Sequence, residues 1–231
     1  MKRPFFLKKG NQEMPGLVAL VYTHQVANGS HALYEKLINF LIPRLKNVTK
    51  LIDVGCGPGH ATEIIAKKLP DAEVLGVDIS DVFIKIAQKK RAPLNNLQFE
   101  LGDALNLPHA NETFNAAVTF MSIKAWPDKQ KGVKELARLV KSGGTIALFE
   151  CDADCSKEAA LNFCSMWRWN FGLPGRVRAR LGRAWLFRKV IKNYGVRNKD
   201  LHSYLEEAGL IEIESFSFND LPIAYAIGKK P

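Results

Sequence analysis

No stretch of the sequence approaches the ~20 consecutive apolar residues that span a bilayer. The early apolar patches, residues 5–7 and 17–22, are also too short for a signal-peptide core of about 7–15 residues. The reading is a cytoplasmic chain, neither exported nor membrane-spanning. Cysteine is scarce: Cys56, Cys151, Cys155 and Cys164 are the four in 231 residues. A chain of this length buries enough core to fold without disulfide staples, so free thiols are expected. The spacing of Cys151, Cys155 and Cys164 fits no common zinc pattern, and no paired-histidine motif follows. No metal is therefore expected.

Acidic residues are missing from one long segment. Residues 159–199 hold ten Lys or Arg and no Asp or Glu, and the rest of the chain balances at 23 of each. The entire formal charge of +10 thus sits in one segment, beside Trp167, Trp169 and Trp185. General solubility would spread such charge around; concentration points to an anionic neighbour. A phosphate-bearing small molecule, a nucleic acid and an anionic membrane surface all qualify, as does a solvated basic cap. No established RNA-binding module is visible.

Two nucleotide-binding signatures are absent as well. A dinucleotide fingerprint requires glycine at position 60, where the chain has His60. A Walker loop requires Gly-Lys-Ser or Gly-Lys-Thr, which occurs nowhere. What stands there instead is Asp53-Val54-Gly55-Cys56-Gly57-Pro58-Gly59, between an apolar run (residues 50–55) and a helical stretch (61–69). Glycines at a strand-to-helix turn let the backbone bend sharply and approach a ligand. Asp53 suits a cationic ligand group such as an amino-acid ammonium better than a pyrophosphate. A second acid, Asp78, ends the next apolar run (73–78), roughly 20 residues beyond the glycines, where an acid accepts from ribose hydroxyls. The competing role for Asp78 is capping the following helix. Ile79 is placed to pack on an adenine face, and Asp103, after a third run (97–101), to accept from the adenine amino group.

The rest of the pattern alternates strand and helix. Helices are expected at 31–45 (Ser30 as N-cap), 80–90 (Ser80 as cap), 129–140 (stopped by Ser142-Gly143-Gly144) and 200–208 (stopped by Gly209). Further strands are expected at 114–121, 145–150, 210–218 and 223–228, the last two close enough for an antiparallel hairpin. Such alternation implies βαβ units and a parallel sheet with its ligand at the carboxyl edge. Residues 151–199 break the rhythm. They read as helical on either side of a Gly172-to-Gly175 turn, with no clean apolar stripe over 176–194.

Together these residues resemble the class I S-adenosylmethionine methyltransferases, especially the ubiquinone and menaquinone biosynthesis group. The resemblance covers about residues 45–150 and the final hairpin. It implies an α/β, Rossmann-like fold: a seven-stranded, mostly parallel sheet with an antiparallel last strand and a helical insertion after strand 5. It implies S-adenosyl-L-methionine as cofactor. Asp53, Gly55, Cys56, Gly57 and Gly59 would surround its methionine part, Asp78 and Ile79 its ribose and adenine, and Asp103 and Ala104 the adenine edge. Phe120 and Met121 would line the pocket. The family commonly has Asp where this chain has Asn115, and two histidines at the positions of Lys124 and Ala125.

The expected organisation is one domain: an N-terminal cap and helix (1–45), a cofactor-binding core (46–150), a basic substrate cap (151–199), and a final helix and hairpin (200–231). The expected activity is in-line methyl transfer to a small, anionic acceptor. Two alternatives remain open: a non-catalytic protein that holds the cofactor, and an RNA methyltransferase using the basic segment. A dehydrogenase fits worse because of His60. Tyr22, His24, His31, Tyr34 and His109 are candidates for a base, none singled out. Replacing Arg176, Arg178, Arg180 and Arg183 with glutamine is expected to weaken acceptor binding and flatten its salt dependence. Cofactor affinity should hold, as measured by titrations at low and high ionic strength.

Overall fold

Leu51, Ile52 and Val54 are buried on both faces of one strand. That is the mark of a central parallel strand covered by helices on each side. The computed structural model describes residues 30–91, 94–166, 192–193 and 195–231. In chain order its elements are α1 (His31–Leu41), β1 (Lys50–Val54), α2 (His60–Lys68), β2 (Glu73–Asp78), α3 (Asp81–Arg91), β3 (Leu97–Leu101) and β4 (Phe114–Phe120). There follow α4 (Lys129–Leu139), β5 (Val140–Cys151), α5 (Lys157–Met166), α6 (Asn198–Glu207), β6 (Ile211–Ser217) and β7 (Ile223–Lys229).

The seven strands form one sheet in the order β3-β2-β1-β4-β5-β7-β6. The first five run parallel, and β7 lies antiparallel between β5 and β6. The expected sheet and its antiparallel last strand are thus present. Strand order reverses between β1 and β4, and in such sheets the crevice outside the carboxyl ends at that reversal receives the ligand.

Two apolar layers cover the sheet. Leu33, Leu37, Ile38 and Leu41 of α1 join Ile64 and Ile65 of α2 on one face. Val133 and Leu136 of α4 join Leu201 and Leu205 of α6 on the other. Within the first layer Phe149 of β5 is fully buried and stacks on Phe120 of β4, centroids 5.0 Å apart and planes 9° from parallel.

Several helix ends differ from expectation. Helix α1 gives way at Leu41 to a 3-10 turn, Ile42–Arg44. Pro43 has no N–H for the α-helical ladder, so the ladder stops there. The Ser30 side chain makes no capping hydrogen bond, whereas the Ser80 hydroxyl accepts from the Phe83 N–H at 3.4 Å. Ser142-Gly143-Gly144 does not stop α4, which ends at Leu139, but lies inside β5. The Gly143 N–H donates to the Lys230 carbonyl (2.8 Å) and the Lys230 N–H to the Gly144 carbonyl (2.9 Å). The end of β7 thus draws these residues into the sheet. Gly209 ends α6 as expected, with φ +81°. Its N–H reaches Glu206 and that of Leu210 reaches Leu205, the paired bonds of a Schellman ending.

Asn115 takes no part in the carboxyl edge. Its Oδ1 accepts from the Thr49 N–H, the Thr49 hydroxyl and the Lys50 N–H, which latches the opposite edge of the sheet. Most of the basic segment, residues 167–191 and 194, lies outside the described residues. No helix among the described residues is long and apolar enough to cross a membrane. Phe149→Ala is expected to cost about 3–5 kcal/mol in urea denaturation, since an aromatic side chain without exposure leaves a cavity that a parallel sheet cannot collapse around.

Candidate active site

The glycine loop leaves β1 and folds back against β2. The N–H groups of Gly55 and Cys56 both donate to the Val77 carbonyl, at 2.7 and 3.0 Å. The loop needs left-handed backbone at Gly55 (φ +78°), Gly57 (+54°) and Gly59 (+79°), a region that costs any other L-residue energy. A Cβ at Gly55 would stand 2.3 Å from the Ser122 hydroxyl. That hydroxyl bonds Thr119 at 2.6 Å and the Val54 carbonyl at 3.2 Å, so β4 presses on the loop.

Asp78 closes the arrangement from β2. Its Oδ2 accepts from the Gly57 N–H at 2.8 Å and its Oδ1 from the Ser80 N–H at 2.9 Å. It therefore serves the turn before α3 and the glycine loop together, and each oxygen retains a further lone pair. Burial holds its pKa above the usual carboxylate range, against the pull of those two bonds.

Asp53 is only 1% exposed. Thr62 donates to its Oδ2 at 2.7 Å. Its Oδ1 has no hydrogen-bond partner among the described residues. Burial pushes the carboxyl from an ordinary 3.8 up to about 7; the Thr62 bond opposes this and the charge of Asp78 adds to it. A buried carboxylate with one unmet oxygen is costly, and a cationic ligand group would relieve that cost.

These residues line a cleft of about 1050 Å³, its open mouth included. On the β2–β3 side its wall is formed by Gly57, Asp78, Ile79, Phe83, Gly102 and Ala104. On the β4–β5 side stand Tyr34, Phe120, Met121, Ser122, Lys124 and Trp126. Asp53, Gly55 and Cys56 lie between, and burial keeps the Cys56 thiol protonated well above its usual range. Two expected residues are not in the wall. Gly59 is used in turning into α2, where a Cβ would meet the Phe99 ring at 2.6 Å. Asp103 folds into its own turn, its carboxylate accepting from the Leu105 N–H and its carbonyl from the Asn106 N–H, both at 2.9 Å. That turn presents its neighbours Gly102 and Ala104 to the cleft.

Sequence reasoning named Phe120 and Met121 of the far wall but missed what holds it. Met121 adopts φ +56°, rare for a non-glycine residue. Its N–H donates to the Phe149 carbonyl at 2.7 Å, and its carbonyl accepts from the Lys124 ammonium. Lys124 also reaches the fully buried Glu150 twice, from its backbone N–H (3.0 Å) and from Nζ (2.9 Å). The Cys151 N–H donates to Glu150 as well, at 2.7 Å. The only local signal was a lysine where a histidine is common.

Of the candidate bases, Tyr34 lines this cleft. His31 is exposed, 3.7 Å from Glu35. His109 lies at the amino edge of the sheet, packed edge-on against Phe114 in a separate cavity with Lys50 and Glu73, too far around the sheet to serve. Tyr22 and His24 lie outside the described residues. Cys56, Cys151 and Cys155 are free thiols, as expected, and the Cys164 side chain lies outside the described set. Among the described residues no three His, Cys, Asp or Glu side chains are grouped to hold a metal.

Comparison with known proteins agrees with this geometry. A family model described as a methyltransferase domain matches residues 45–209. Demethylmenaquinone methyltransferase of Staphylococcus aureus (strain JH9) is 26% identical over 185 residues, covering 79% of this chain and 76% of the relative. Among solved structures, a SAM-dependent methyltransferase from Thermotoga maritima superposes with a TM-score of 0.63 at 18% identity, covering 94% of this chain and 97% of that one. Another from Aquifex aeolicus gives 0.62 at 15% identity, covering 84% and 88%. These likenesses establish the fold.

The folded Asp53 carboxyl binds its proton up to about pH 7, whereas the unfolded one releases it near 3.8. The native state therefore holds the extra proton in this window, and the contribution of Asp53 to stability declines as pH rises through it. Asp53→Asn should consequently melt above the parent near pH 8, with the gap closing toward about pH 5. Thermal denaturation at both values checks this, and a variant less stable than the parent at the higher pH contradicts the burial argument.

Proposed function

The chain belongs to the methyltransferase-domain family and is an S-adenosyl-L-methionine-dependent methyltransferase; from that premise we propose that this cleft holds the cofactor and that the acceptor is a flat, quinol-type small molecule. The observation that carries the placement of the cofactor is the unmet Oδ1 of Asp53 at the strand-order reversal. A buried carboxylate oxygen with no partner fits the ammonium of the methionine part. Asp78 has lone pairs left for ribose hydroxyls, and Ile79 with Phe83 supplies an apolar surface for adenine. Gly102 and Ala104 leave room along the adenine edge, with Asp103 shaping their turn. Gly55, Cys56 and Gly57 border the methionine part, Gly59 sets the turn into α2, and Phe120 and Met121 bound the methyl end.

When bound, S-adenosyl-L-methionine supplies a methyl group already made electrophilic by its sulfonium. The residues of the chain then have to align the acceptor, exclude water and hold charges. Such alignment is worth about 7–11 kcal/mol of barrier. Tyr34, Phe120 and Trp126 offer aromatic surface to a planar ring on the β4–β5 side. The Staphylococcus aureus relative, named for demethylmenaquinone, supports the quinol class. In the same reading the chain acts in the cytoplasm as one domain, and the basic residues of 159–199 serve an anionic acceptor.

Asp78→Ala should weaken S-adenosyl-L-methionine binding about tenfold or more in calorimetry, through lost ribose contacts and a loosened Gly57. The acceptor is tested by incubating the enzyme with reduced demethylmenaquinone and methyl-labelled cofactor. Mass spectrometry should find a labelled product, and no incorporation with cofactor bound would reject the quinol class.

A further inference from the structure

We propose that Lys124 reads the acceptor: its ammonium, clamped by Glu150 and the Met121 carbonyl, takes the ionised oxygen of a phenol- or enol-type acceptor and so sets specificity for it. The inference rests on the quinol-type reading above and deepens it.

Charge is sorted across the cleft. Asp53 and Asp78 stand on the side of β1 and β2, facing the region assigned to the cofactor. Lys124 is the one cationic side chain among the described lining residues, and it stands beyond β4, where the strand order carries the wall away from the nucleotide side. The ammonium and sulfonium of the cofactor are drawn to the first side. An oxyanion is sorted the opposite way.

The Lys124 head is held in place. Glu150, without exposure, accepts from its N–H and its Nζ, and the Lys124 side chain keeps 22% exposure. Stability alone does not account for such a pair, because a buried ion pair is commonly no more stable than an apolar one of equal volume. Burial lowers the pKa of the neighbouring Lys129, and the charges of Glu150 and exposed Asp128 oppose that pull. Tyr34, Phe120 and Trp126 stand in the same wall. A ring lying against them can bring a ring oxygen to Lys124, which favours its ionised and more nucleophilic form.

The test uses the full chain saturated with S-adenosylhomocysteine and two coloured probes that share a ring. 2-Hydroxy-1,4-naphthoquinone is an anion in neutral buffer, and its 2-methoxy analogue cannot ionise. The parent should bind the anion about tenfold tighter than the methoxy compound, a preference worth one charge-assisted contact. Lys124→Met combined with Glu150→Gln removes both charges without stranding either, and should abolish the preference. Lys124→Arg should keep most of it. Calorimetry with S-adenosylhomocysteine on each sample reports whether the cofactor side is intact. Should the double variant lose that binding, Lys124→Gln carries the same measurement. An anion preference that survives removal of the lysine, or a parent that binds both probes equally, overturns the assignment of Lys124. A parent that binds neither probe overturns the quinol reading and the inference with it.

Discussion

One carbonyl oxygen organises the active edge of this protein. Val77 C=O receives the N–H groups of both Gly55 and Cys56. A single acceptor taking two successive donors forces the chain leaving β1 to coil back over the end of β2. Everything else at the site is arranged around that coil. Asp78, the next residue on β2, catches Gly57. Ser122 fills the space that a Cβ at Gly55 would need. The coil also aims the start of α2 so that Thr62 meets Asp53. The loop is therefore braced from β2 and from β4, and Asp53 is sealed beneath it with one oxygen unmet.

The energetics of the cleft follow from where carboxylates are buried and how well each is matched. Glu150 has three hydrogen-bond donors, one of them an ammonium. Asp78 has two backbone donors. Asp53 has one hydroxyl donor and the strongest reason to hold a proton. A deficit of donors at one carboxylate, with its neighbours satisfied, marks the spot where a cation is missing from the fold's own inventory. The sheet could have placed an asparagine there at less cost. The residual demand for charge is what prepares the site for a cationic ligand.

How much of this was legible in the sequence depended on the range of each interaction. β2 and β3 were read to the residue, because a run such as Glu73-Val74-Leu75-Gly76-Val77-Asp78 carries its signal within itself. Asp53, the glycines and Asp78 form a spaced pattern along the chain, and they do meet in one cleft. Lys124 and Glu150 are 26 residues apart, and their meeting follows only once β4 and β5 are known to be neighbours. Ser142-Gly143-Gly144 has the composition of a helix stop, and tertiary pairing with Lys230 overrode it. His109 drew attention as a titratable residue, yet the loop leading into Phe114 puts it at the wrong edge. Met121 shows no trace in sequence of its left-handed backbone, which the Phe149 carbonyl and the Lys124 ammonium hold.

The position of β7 between β5 and β6 shapes how the chain must be assembled. β5 is long and carries the fully buried Phe149 and Glu150, yet one of its edges is completed only by residues 223–229. β6 precedes β7 in the chain but has no partner until β7 arrives to separate it from β5. As the polypeptide grows from its amino end, the parallel half of the sheet and its helices can consolidate first. The β5 edge then waits as an unpaired row of amide groups, open to association with other nascent chains. Closing it is the job of the last strand of the sheet to be made, so the β6–β7 hairpin sets how long that edge stays open.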